Sequence, residues 1–286
     1  MIPKMNKREQ TQRFNSNIID VNKNNDMVKY EIPKIQILFR NEEFLIINKP
    51  YDIRIDGDTS KGHTVLSLLY NQIPNLPKPL RNVHQLDHAT SGCYCLALTK
   101  KSAGIASIAF AKREVDKYYL AIVRGWMKND SYVVEQPIAE VPNNRYRMCI
   151  GTEDNPGKSS KTEIKVLRRG YFHSSLLPPS PSTTPPPSPS EYIQVTLIRL
   201  HPITGRRHQL RLHCQFLNHP IVGDWHYERQ IMNYTDTWRM MLHAQKLVIP
   251  LNKTDEALDV NAGDPFSELV TENFGYDYVE VERENK

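Results

Sequence analysis

The sequence predicts an α+β fold in which short apolar strands carry most of the core and a few helices flank them. Three observations lead there. "KIQILF", "RNEE" and "FLIINK" (34–49) read as strand, turn and buried strand, a hairpin signal. "CYCLALT" (93–99) and "VDKYYLAIVRG" (115–125) are apolar strand runs enclosing one helical pattern. "YIQVTLIRL" (192–200) alternates, with Ile193, Val195 and Leu197 on one face and Gln194 and Thr196 on the other.

Taken in order, the first 33 residues are polar and Asn/Lys-rich, an extension with little to bury. Lys49-Pro50 ends the hairpin, because proline cannot continue a central ladder. "HTVLSLLYNQI" places Val65, Leu68, Leu69 and Ile73 at helical spacing, and "KSAGIASIAFAKR" is a helix of small residues. Cys93 and Cys95 fall on one face of their strand, as two small buried residues would. "HSSLLPPSPSTTPPPSPS" (173–190) cannot build a core and is expected to be a disordered insertion. "HPITGRRHQLRLHCQFL" turns from strand into helix, with Thr204 as the expected N-cap and Leu210, Cys214 and Leu217 as the expected apolar stripe. The domain organisation is therefore an extension (1–33), a body (34–250) and an acidic tail (251–286).

Charge separates along the same boundaries. Residues 251–286 carry ten acids against Lys253, Arg283 and Lys286, a balance of −7, which leaves +12 on the rest. A body that basic suits a polyanion, nucleic acid first. The four cysteines form neither CxxC pairs nor a secreted framework, which points to a reduced, intracellular protein without a structural metal. No apolar run is long enough to span a bilayer. Lys4, Lys7, Arg8 and Arg13 leave a mitochondrial presequence open, but Glu9 and the Asn-rich continuation favour cytoplasm or nucleus.

The chemistry-bearing segments are "HPITGRRHQLRLH" and "HQLDHATSG" (84–92). In the first, Gly205 permits a tight turn into a helix N-terminus, and Arg206, Arg207 and Arg211 gather around it, a combination suited to a phosphate or carboxylate. In the second, Asp87 stands alone in a turn-forming run before an apolar strand. A His84/Asp87/Ser91 hydrolase triad would crowd into eight residues groups that normally converge from separate elements, and no nucleophile elbow accompanies them. His201, His208, His213 and His219 are expected to cap, pack or hydrogen-bond and not to bind metal.

These segments resemble the RluA-type pseudouridine synthases. "HQLDHATSG" is similar to their HRLDRxTSG signature, "KYYLAIVRG" to their Lys-x-Tyr strand, and "TGRRHQLRLHCQFLNHPIVGDWHY" to their TGRxHQIRvH…GHPIxGDxxY segment. "LHAQKLVIP" matches the closing strand and "ILFRNEEFLIINKP" the opening hairpin, so five blocks in order span roughly residues 35–250. The resemblance implies a mixed, mainly antiparallel sheet with flanking helices and a central RNA-binding cleft. It implies isomerisation of uridine to pseudouridine in RNA, tRNA or rRNA foremost, by a monomer without a cofactor. Asp87 takes the place of the attacking aspartate, Arg211 that of the arginine pairing with it, and Tyr119 that of the tyrosine stacking on the base. Tyr118 is expected to face core packing. Gln85 and His88 stand where the family usually has arginines, and with Arg206, Arg207 and His208 they are the expected substrate contacts. Those two departures sustain a rival reading, a catalytically silent RNA-binding or chaperone protein on the same scaffold.

Overall fold

The structure is a computed structural model that describes residues 34–144, 146–174, 192–231, 237–251 and 257–272. The N-terminal extension, nearly all of the Pro/Ser-rich insertion and the end of the acidic tail lie outside the described residues. In chain order the elements are β1 (Gln36–Arg40), β2 (Phe44–Lys49), α1 (Val65–Gln72), β3 (Arg81–Asn82), β4 (Ser91–Ala97), α2 (Lys100–Lys112) and β5 (Asp116–Arg124). They continue with β6 (Ser131–Val134), β7 (Ile138–Glu140), β8 (Met148–Ile150), β9 (Thr162–His173), β10 (Tyr192–Pro202), α3 (Gln209–Phe216), β11 (Leu242–Pro250), β12 (Ala257–Asn261) and β13 (Val270–Thr271). The described residues divide into two compact units, one lying within 1–117 and 243–263 and the other within 118–242 and 264–286.

In the first unit β1 and β2 form the expected antiparallel hairpin. Its turn is fixed by the Asn41 side chain, whose Oδ1 accepts the amides of Glu43 (2.9 Å) and Phe44 (2.7 Å). β2 pairs antiparallel with β4, β4 pairs parallel with β11, and β11 pairs antiparallel with β12. The sheet is thus mixed and mainly antiparallel, as the resemblance implies.

Strand periodicity sorts the core into two faces. Leu45, Ile47, Tyr94 and Leu96 pack with Val65, Leu68 and Leu69 of α1. Phe44, Ile46, Cys93 and Cys95 pack with Ala106 and Ala109 of α2 and with Leu247, Ile249, Leu258 and Val260. Both helices start on capping boxes, Thr64 with Ser67 and Thr99 with Ser102. Leu258 and Val260 show that the acidic segment after 250 supplies core residues and the whole of β12.

The second unit is antiparallel: β5 pairs with β10, β10 with β9, and β9 with both β6 and β13. A separate two-stranded ribbon, β7–β8, packs Ile138, Met148 and Ile150 against Leu212 of α3 and Tyr227. Three sequence expectations fail here. α3 begins at Gln209, after His208 in a left-handed conformation, and Thr204 does not cap it. The Thr204 hydroxyl instead donates to Gln209 Oε1 (2.8 Å) and accepts the Lys161 amide (2.9 Å). Nor is α3 amphipathic along one stripe: Gln209 to Cys214 are all buried, while Leu217 is only partly so. Tyr118 is likewise not core. It is half-buried and stacks on His201 at 4.6 Å.

Candidate active site

Asp87 lies in the loop between β3 and β4, half-buried, with its carbonyl accepting the Thr90 amide at 3.1 Å. A loop built of His, Gln, Ala and Thr has little packing of its own, so its conformation must be imposed from outside. Three groups of the first unit do this. Lys49, fully buried at the end of β2, donates from Nζ to the carbonyls of Pro50, His88 and Thr90, each at 2.9 Å. Desolvating an ammonium is expensive, and three carbonyl acceptors at one point are what make it tolerable.

His84 anchors the other flank. Its ring lies against Tyr94 (4.7 Å) and Phe110 (5.0 Å), and its Nε2 accepts the Cys95 amide at 2.9 Å. Burial, with Lys117 nearby, pushes its pKa down to about 3, so the ring is a neutral acceptor. Tyr94 Oη closes the clamp by donating to the His84 carbonyl at 3.1 Å. Between these anchors Leu86 packs on the first core face, which fixes the residue adjoining Asp87.

The "TSG" of the motif has its own cause. Gly92 sits at φ +109°, and a Cβ there would fall 2.2 Å from the Ala244 carbonyl oxygen. Only glycine lets β4 and β11 approach so closely. Beside it, Ser91 Oγ and His243 Nδ1 share a 2.7 Å hydrogen bond, so "TSG" and "LHA" form one feature. This geometry dismisses the hydrolase triad: His84 serves the Cys95 amide and Ser91 serves His243.

Of the two residues standing in for arginines, Gln85 is exposed and His88 half-buried. His88 Nδ1 lies 3.8 Å from Asp52 Oδ1. Burial, with Lys49 and Arg54 adding repulsion, nevertheless lowers its pKa to about 4. The desolvation and the two cations outweigh one carboxylate at that distance, so His88 is neutral near pH 7 and supplies no charge.

The remaining candidates belong to the second unit. Tyr119, half-buried on β5, pairs with Leu200 of β10. Arg211 is buried on α3 and grips Asp224 in a bidentate pair, Nε to Oδ2 and the second terminal nitrogen to Oδ1, both 2.7 Å. Asp224 also accepts the amides of His226 (3.0 Å) and Tyr227 (3.2 Å). The preceding Gly223, at φ +77°, would place a Cβ 2.4 Å from the Arg239 carbonyl oxygen, and its amide donates to the buried Glu228 carboxylate.

Arg211 further lies over the Tyr227 ring, 4.9 Å from its centroid, and Tyr227 Oη meets His208 Nδ1 at 2.7 Å. Gln209 ties the base of this assembly, donating to the Lys161 carbonyl and Thr162 Oγ1 while accepting from Thr204 and the Arg206 amide. Arg206 donates from Nε to the Ser159 carbonyl, and Arg207 is exposed in the turn before α3, so it does not share a helix face with Arg211. His201, His213 and His219 are hydrogen-bonded within the fold, and the described residues contain no cluster able to hold a metal ion.

Sequence reasoning missed Lys49, His84 as an anchor, Asp224, Gln209 and Glu228. Lys49 had one legible signal, a cation at the end of an otherwise apolar strand run. Asp224 had another, an acid directly after a glycine in a recognised block.

Comparison with known proteins finds similarity over most of the chain. The family model for RNA pseudouridylate synthase matches residues 43–216. The chain is 37% identical over 246 residues to RNA pseudouridylate synthase domain-containing protein 1 of Danio rerio, covering 82% of this chain and 76% of that one. It is 31% identical over 217 residues to the dual-specificity RNA pseudouridine synthase RluA of Yersinia pestis, covering 74% and 91%. Among solved structures, human RNA pseudouridylate synthase domain containing 1 superposes with a TM-score of 0.65 at 33% identity, covering 84% and 87%.

Proposed function

Because the chain belongs to the RNA pseudouridylate synthase family, in its RluA-type branch, we propose that it is an isomerase converting uridine to pseudouridine in RNA with Asp87 as nucleophile. The observation that carries the role of Asp87 is the double clamp on its loop: Lys49 on one flank, His84 and Tyr94 on the other. Nucleophilic catalysis needs a carboxylate held in one place against its target, and this loop has that rigidity.

In the reaction the N1–C1′ bond breaks, the base turns while held, and C5 bonds to C1′. The C5 proton leaves and N1 gains one, so nothing is gained or lost overall and no cofactor is required. Asp87 supplies the carboxylate, Tyr119 stacks on the base and relays the C5 proton, and Arg211 keeps the carboxylate ionised and aimed. The Asp224 pair and the Tyr227 ring hold the Arg211 guanidinium in a fixed plane, which suits that aiming role. The target uridine has to leave its stack to reach these groups.

Substrate grip falls to Arg206, Arg207 and His208, with Gln85 and neutral His88 offering hydrogen bonds in place of two charges. The monomeric protein acts on tRNA or rRNA inside the cell. No described helix is long and apolar enough to cross a membrane. Mapping pseudouridines in cellular RNA with and without the protein tests the reading. Loss of one or a few tRNA or rRNA positions is expected, and an unchanged map would refute it.

A further inference from the structure

We propose that Trp225 and Arg229 form a stacking platform for an unpaired nucleotide of the RNA, apart from the residues assigned to the chemistry. The inference rests on the reading that this chain acts on RNA, and it adds the class of RNA segment contacted. Trp225 is 37% exposed, unusual for a large ring beside a buried turn, and the Arg229 guanidinium lies over it at 3.8 Å from the centroid.

The acids flanking Arg229 do not compete for it. Asp224 is buried and taken by Arg211, and Glu228 is buried, accepting the Gly223 amide with Arg124 3.7 Å away. Among the described residues no carboxylate pairs with Arg229, so its charge faces solvent. A flat guanidinium already lying on an indole offers a π-face and a positive charge together, the two features that bind single-stranded RNA without base readout.

The platform is rigidly joined to the assembly around Arg211. Trp225 directly follows Asp224, whose carboxylate fixes both Arg211 and the His226 and Tyr227 amides. The β7–β8 ribbon is fastened to the same turn, with Arg147 donating to the His226 carbonyl at 2.6 Å, and the residue before it, Tyr146, is 74% exposed. Aromatic and basic side chains therefore alternate around this turn, as they do on single-strand binding surfaces.

The test uses the full-length protein and an oligoadenylate of about ten nucleotides, within the span of single-strand sites. It offers bases to stack but no uridine to isomerise. Its affinity is compared with that for a duplex RNA of equal length. Trp225→Ala and Arg229→Gln should each weaken oligoadenylate binding about tenfold, the usual range for one stacked base. Duplex binding should change by no more than about twofold, as expected for one phosphate-range charge. Trp225→Phe, which keeps a ring, should restore most of the loss.

Equal losses on both RNAs would make the site plain positive charge and overturn the proposal, as would no loss on either. A changed oligomeric mass of Trp225→Ala by light scattering, with RNA affinity intact, would mark a protein interface and overturn it too. If Trp225→Ala does not fold, Arg229→Gln decides, since that side chain is exposed. Failure here with Asp87→Asn still inactive would sink the platform alone. An active Asp87→Asn with these losses intact would sink the catalytic assignment alone.

Discussion

Replacing Arg211 with methionine removes one member of a buried ion pair and leaves the other inside. The side chains of Arg211 and Asp224 are only 6% and 0% exposed, and two 2.7 Å bonds join them. Breaking such a pair typically costs about 3–5 kcal/mol, because the orphaned charge stays desolvated. Asp224 would keep the His226 and Tyr227 amides, which holds the loss near the low end, while the lost contact with the Tyr227 ring adds roughly 0.5–1 kcal/mol.

The expected total is about 4 kcal/mol, a large part of a typical stability of about 5–15 kcal/mol. Adding Asp224→Asn removes the stranded charge yet keeps an acceptor for both amides, so the double variant should regain about 2 kcal/mol. Urea unfolding of the four proteins in the cycle measures both numbers. Isomerisation should stay lost in the double variant, because the guanidinium is still missing. Arg211→Met within about 1 kcal/mol of wild type, or a double variant equal to the sum of the singles, would refute the reasoning.

Two other perturbations act in the first unit. Lys49→Met keeps the stem but strips one buried and two part-buried carbonyls of their donor, and should lower stability by about 4 kcal/mol in urea unfolding, with isomerisation falling further; unchanged stability would mean the clamp is idle. His84 and His88 have folded pKa values of about 3 and about 4, below the ordinary 6.5. The unfolded chain therefore binds protons first as pH drops. Their contribution is complete above about pH 6.5 and is lost progressively towards pH 4, so unfolding midpoints should fall over that window and His84→Gln should flatten the fall. A midpoint constant from pH 7 to 4.5 would contradict the burial of these rings.

β1, β2, β4, β5, β10, α1 and α2 were legible because their signals are local: apolar and period-two runs, the "RNEE" turn, and apolar or small residues at helical spacing. Cys93 and Cys95 landed on one face for the same reason. α3 was legible as a helix but not in its environment. Its polar residues Gln209, Arg211 and His213 find partners in Thr162, Lys161 and Asp224, contacts made across 13 to 51 residues that periodicity cannot show. Thr204 looked like an N-cap because its type and spacing fit, and its hydroxyl is instead taken by Gln209 Oε1 and the Lys161 amide. Lys49 read as the end of a strand, since nothing in "NKP" reveals the His88 and Thr90 carbonyls arriving from about 40 residues away. The acidic composition after 250 masked the alternation of Leu258 and Val260 that builds β12.

The most direct measurement is pseudouridine formation by purified Asp87→Asn beside wild type, under single-turnover conditions on an RNA carrying the mapped uridine. The amide is nearly isosteric with the carboxylate and cannot attack, and Lys49 and His84 still hold the backbone on either side of it. The variant should fold, bind the RNA within a few-fold of wild type, and form no detectable pseudouridine. Activity above about one hundredth of wild type would contradict the assignment of Asp87 as nucleophile.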